Sequence, residues 1–316
     1  MNRMKKYFAL MLALLLCLTA LWGCGKDEPQ QPDEDKTPTD QTQTDDTQEP
    51  DALSDEIVCS NGSRTLRFQR NEKGTWSWKD DTDFPLDNSY VETLLATIEE
   101  MLALQPITTD KTLKKLGLEE DDTDKYVTVS DEKGQSITWY LGKTAENGSQ
   151  YVRRADDETF AIYLAPADLS AQVNRSIYAM MVLPQLPTID AEKITAITIQ
   201  SGETIHELRS GTGDTWYDGA VNVTSKVKAL LEPLAQPEVT ACVDFKPSKG
   251  APAICGLSKS SPVLTVEFAD QFDTPTTFTL TVGNPRGEGY CVTINDDSTI
   301  YLMPAPLVDA VQAFVQ

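Results

Sequence analysis

The chain has 316 residues, of which 40% are hydrophobic, and a formal net charge of −22. Length and apolar content leave room for two lobes with real cores. The charge repels nucleic acid and anionic lipid headgroups, so neither is expected as a partner surface.

Residues 1–23 carry Arg3, Lys5 and Lys6, then an apolar run from Tyr7 to Leu18. That run is too short for a comfortable membrane span and fits the core of a signal peptide. It ends in Leu21-Trp22-Gly23-Cys24, which resembles the bacterial lipobox. The resemblance implies that Cys24 is lipidated, becomes the first mature residue and anchors the chain to a membrane outside the cytoplasm. Residues 24–56 hold twelve acids and two bases among Pro, Gln and Thr. Such a stretch cannot bury enough surface to offset its ordering entropy and is expected to be a disordered, self-repelling tether.

A first unit over 57–186 begins with short strands at 57–60, 64–69 and 74–78, separated by Asn61-Gly62 and Lys73-Gly74 turn signals. Asp87-Asn88 would cap a helix whose residues Val91, Leu94, Leu95, Ile98, Met101 and Leu102 form one apolar stripe. A short helix over 110–116 should stop at Gly117. Four strands follow at 126–130, 136–141, 150–154 and 159–164, then helices over 166–173 and 174–183. A second unit over 187–316 repeats the plan, with strands at 194–200, 204–209 and 215–217 and a helix from 224 to 234. Strands at 263–268, 276–282, 289–294 and 299–302 lead into a terminal helix over 305–315. Alternation such as Leu264, Val266, Phe268 marks strands with one buried face. The expected class is α+β, with antiparallel sheets and helices packed on one face.

The two units match by landmark. Trp76 corresponds to Trp216, Gly117-Leu118 to Gly256-Leu257, Gly142 to Gly283, the run from Tyr151 to the run from Tyr290, and Tyr163-Leu164 to Tyr301-Leu302. Two tandem copies of one unit account for that order. Trp76, Gly117-Leu118, Leu141-Gly142, Tyr151-Val152-Arg153 and Ile162-Tyr163 also resemble the bacterial envelope family known as domain of unknown function 4340. The resemblance implies membrane anchoring and an association with ABC-type export systems. It brings no catalytic signature.

Site chemistry is thin. His206, the only histidine, lies in a strand with no nucleophile elbow beside it, so a structural role is expected. Gly283 to Gly289 lacks the Gly-Lys-Ser/Thr of a phosphate loop and reads as a hairpin turn. The acidic run from Glu119 to Asp124 lacks the spacing of a calcium loop, and no cysteine spacing suggests zinc, so neither metal nor cofactor is expected. Trp76 and Trp216 read as core residues, whereas Trp78 and Trp139 are candidates for exposed contact.

From Pro237 to Gly256 the second copy runs eight residues longer than the first does from Pro106 to Gly117. Cys242 and Cys255 bracket the addition and are either a disulfide or two small buried thiols. Lys246 and Lys249 make the same loop the first choice for a partner contact. The expected function is therefore that of a membrane-anchored, non-catalytic binding or scaffold module for an envelope partner. The alternative is a receptor that takes a solute or glycan in the cleft between lobes.

Overall fold

The computed structural model describes residues 55–119 and 124–315. The expected lipidation site at Cys24, the expected signal peptide and nearly all of the expected tether lie outside them.

In the first copy the strands are β1 (Glu56–Asn61), β2 (Thr65–Arg70), β3 (Trp76–Trp78), β4 (Lys125–Ser130), β5 (Ser136–Thr144), β6 (Gln150–Arg154) and β7 (Tyr163–Ala165). They form one antiparallel sheet in the order β3-β2-β1-β4-β5-β6-β7. The second copy supplies β8 (Ile194–Ser201), β9 (Thr204–Ser210), β10 (Trp216–Asp218), β11 (Val221–Asn222), β12 (Ala241–Asp244), β13 (Val263–Ala269), β14 (Pro275–Arg286), β15 (Gly289–Ile294) and β16 (Ile300–Pro304). Its sheet runs β11-β10-β9-β8-β13-β14-β15-β16-β12, the same path with one strand added at each edge.

Lateral rows of apolar residues fill one face of each sheet. In the first, Ile57 lies opposite Phe68 and Val129, and Val127 opposite Trp139. In the second, Ile197 lies opposite Leu208 and Val266, and Val266 opposite Phe278. On that face of the first sheet sits α1 (Asn88–Leu102), whose Val91, Leu94, Leu95, Ile98 and Met101 are buried as their spacing predicts. Asp87 caps it by accepting from Ser89 N–H. A short α2 (Leu113–Leu116) and α3 (Leu169–Asn174) complete the copy. The second copy has α4 (Thr224–Leu234), α5 (Ala251–Ile254) and α6 (Ala305–Val315). No described helix is long and apolar enough to cross a membrane.

The repeat holds in detail. Gly117 caps α2 and Gly256 follows Cys255, the cap of α5, at φ 69° and 71°, and each glycine is followed by a buried leucine. Tyr163 O–H donates to Asp157 at 3.4 Å and Tyr301 O–H to Asp297 at 2.7 Å. One match needs correction. Tyr151 lies opposite Leu164, and it is Cys291, not Tyr290, that lies opposite Leu302. The structural counterpart of Tyr151 is therefore Cys291: the same register shift occurs in both hairpins, but the path from Gly283 to Cys291 is one residue shorter than that from Gly142 to Tyr151.

Three expectations on elements also change. Residues 177–180 form a single 3₁₀ turn where a helix over 174–183 was expected, and the helix over 110–116 shrinks to its last four residues. The strand over 159–164 starts only at Tyr163, since Phe160 sits at φ 55° and interrupts the extended backbone.

Candidate functional site at the seam between the copies

The described residues fall in one compact unit, and one cluster of buried side chains runs through both sheets. The added stretch of the second copy makes the join. Ala241 and Cys242 of β12 pair with Leu302 and Tyr301 of β16, and the chain then turns at Phe245 and Lys246 toward the first copy. Phe84 of the first copy, 4% exposed, is the centre of the contact. Its ring meets Phe245 edge-on at 5.2 Å and Trp78 at 5.5 Å, with Tyr178 at 6.4 Å. Such edge-to-face pairs add specificity to apolar burial.

Polar bonds surround this aromatic group. Lys246, at φ 50°, places its Nζ 2.8 Å from Asp81 Oδ1 and 3.0 Å from Asp83 Oδ2. The hydrogen bond from Lys246 holds the Asp81 carboxyl below its ordinary range, and the two carboxylates raise the Lys246 ammonium. Tyr178 O–H donates to Asp244 Oδ1 at 2.9 Å. Burial first, then that hydrogen bond, pushes the phenol up to about 12.

Beside these contacts lies a groove of about 510 Å³ lined from one copy by Tyr90, Tyr178 and Met181 and from the other by Thr240, Cys242 and Arg286. Arg286 is exposed and forms no ion pair among the described residues. Arg175 stacks over the Tyr90 ring at 4.3 Å. Aromatic walls and a guanidinium suit a neutral or anionic organic group. Nucleophilic chemistry is disfavoured at Cys242, whose thiol is pushed up to about 12 by burial and then by the charges of Asp244 and Asp297. A second hollow of about 440 Å³ lies between α4 and α6, lined by Pro233, Pro237, Pro304 and Pro306 with Glu232 and Glu238. No three His, Cys, Asp or Glu side chains group as metal ligands among the described residues.

The residues singled out from sequence fare unevenly. Lys246 is in the same loop as expected, but its ammonium is engaged within the chain and does not stand free for a partner. Lys249 is exposed. Trp139 is 1% exposed and packs edge-on against Tyr163, so it is a core residue and no contact platform. Trp78 is half-buried against Phe84 at the seam. Trp76 is buried as expected, its indole N–H donating to Glu92 at 2.7 Å. His206 lies in β9 with its Nδ1 2.5 Å from Asp218, near the Phe314 ring. Gly287 and Glu288 form a two-residue turn between β14 and β15, as the hairpin reading requires.

A Cys242–Cys255 disulfide is not present: all four described cysteines are free and buried. The sheet itself keeps the two apart. Cys242 lies opposite Tyr301 in the main core, whereas Cys255 packs with Leu257, Cys291 and Ile300 on the other face. Phe84, Tyr178, Asp244 and Arg286 were not anticipated. The aromatic Phe245 next to Lys246 was the one available signal, since an added loop carrying both has something to cover.

The profile of a family described as Domain of unknown function (DUF4340) matches residues 76–259, which is 184 of the 316. The match starts at Trp76 in β3 and runs across the seam to the turn after α5. No curated protein and no solved structure matches the chain.

Proposed function

Because the chain belongs to the DUF4340 family, we propose that it is a lipid-anchored, extracytoplasmic and non-catalytic binding or scaffold module that serves an envelope partner such as an ABC-type transport system. One observation carries the reading. The seam of Phe84, Phe245, Tyr178 and Lys246 joins the two copies through a continuous core, so that they present fixed surfaces to a partner. The anchor rests on the leader ending in Gly23-Cys24, and the acidic stretch after it gives the module reach.

Two measurements on the full chain test this. Cys24→Ala should shift the protein from the membrane fraction to a soluble or signal-retaining form, and an unlipidated mature N-terminus at another residue overturns the anchor. In-cell crosslinking should recover an envelope protein; repeated capture of none, from cells in which the folded chain is verified, overturns the scaffold.

The seam groove favours a second reading, a receptor for a small anionic or aromatic solute or a glycan, with Arg286 as its cationic contact. A thermal-shift screen separates the two, since a ligand at a hundred times its dissociation constant stabilises by about 2.7 kcal/mol.

A further inference from the structure

The cysteines on the outer face of the second sheet have a definite arrangement. Cys255 ends α5, Cys291 lies in β15, and the two share a small buried cluster with Leu257 and Ile300, apart from the main core. Their exposures are 6% and 2%. Backbone packing holds them there. The Cys255 carbonyl accepts from Asn284 N–H at 2.7 Å, and a Cβ on Gly283 would strike both the Cys255 and the Cys291 carbonyls.

The first copy has the same turn without cysteines. Leu116 precedes Gly117 as Cys255 precedes Gly256, and Tyr151 occupies the ladder position of Cys291. A leucine and a tyrosine thus stand where the second copy has two thiols. Cys59 and Cys242 belong to the main cluster and have no such partner.

We propose that Cys255 and Cys291 are a thiol pair built to close into an intramolecular disulfide, which fastens the α5 turn to β15. The oxidant is a small-molecule or protein disulfide. One S–S bond forms between the two sulfurs, the oxidant's S–S bond breaks, and the two protons and two electrons leave with its two thiols. Burial raises the Cys291 thiol to about 11, so closure should be slower than at an exposed thiol.

The full chain, purified with reductant, is dialysed under native conditions into mixed reduced and oxidised glutathione until its peptide map stops changing. Free thiols are then alkylated after denaturation. Trypsin places Cys255 in the peptide 250–259 and Cys291 in 287–316. The expected product is these two peptides joined, lighter by two hydrogens than their sum, with Cys59 and Cys242 alkylated. Alkylated Cys255 and Cys291 at the end point overturn the proposal, as does a cross-link from either to Cys59 or Cys242. In Cys255→Ser the 287–316 peptide should be recovered wholly alkylated. Its appearance in another cross-link would show that proximity does not select the pair.

Discussion

Gly142 and Gly283 do the same work in the two copies. A Cβ on Gly142 would overlap the Leu116 carbonyl and the Leu118 side chain; one on Gly283 would overlap the Cys255 carbonyl and reach Leu257 at 3.1 Å. The obstacle is in each case backbone that cannot step aside. Gly283→Ala should therefore destabilise by about 1–3 kcal/mol. Gly250, at φ −92° with nothing near its Cβ position, should accept alanine with no loss or a gain of about 0.4–1 kcal/mol. Urea denaturation of both variants checks the contrast. Tyr178 gives a pH signature. Its folded pKa is raised from 10.0 to about 12, so its contribution is complete below 10.0 and is lost as pH rises toward about 12. Tyr178→Phe should cost about 1 kcal/mol at neutral pH through the lost bond to Asp244. That deficit should narrow across the alkaline window, as denaturation at matched pH values will show.

At the scale of elements, α1 was the most legible part of the sequence because cap, stripe and length agree. Its start depends on one polar group, and Asp87→Ala should cost about 1 kcal/mol while Asp87→Asn costs little. Thermal unfolding of the pair measures the cap alone. Strands with strict alternation, such as β13, were legible for a similar reason. The edge strand β12 was not. Ala241-Cys242-Val243-Asp244 is too short and mixed to show a period, and its partner β16 lies about sixty residues on in the chain. The expected helix over 174–183 failed because Ile177 and Met180 are buried by the seam and need only one 3₁₀ turn to reach it. Local pattern could not reveal that demand.

For the whole molecule, the shared core makes a cooperative claim. Phe84→Ala removes the ring on which Trp78, Tyr178 and Phe245 converge and should cost about 3–5 kcal/mol. If the copies unfold as one, tryptophan fluorescence, dominated by Trp76, Trp78 and Trp139 of the first copy, should report the same midpoint as amide exchange at β13 and β14 of the second. Separate midpoints in the wild type would show that the seam does not couple them. The duplicated frame was readable because glycine turns and aromatic strand ends recur at nearly fixed spacing. The seam was hidden because it depends on which face of each copy meets the other, and no periodicity encodes that.

The position of β1 has a mechanical consequence. All chain upstream of Asp55 enters the fold through this strand, which is an interior strand of its sheet, third of seven and paired on both sides. Asp55 N–H donates to Ser130 O at 2.9 Å and Asp55 O accepts from Arg70 N–H at 2.8 Å, so both neighbours grip the entry point at once. A pull applied from upstream acts along β1, against the ladders to β2 and β4 together, and loads their hydrogen bonds in shear. An edge hairpin pulled at its end would instead peel one rung at a time. Force-ramp unfolding from the N-terminal side, governed by the unfolding rate, should meet its main resistance at this strand.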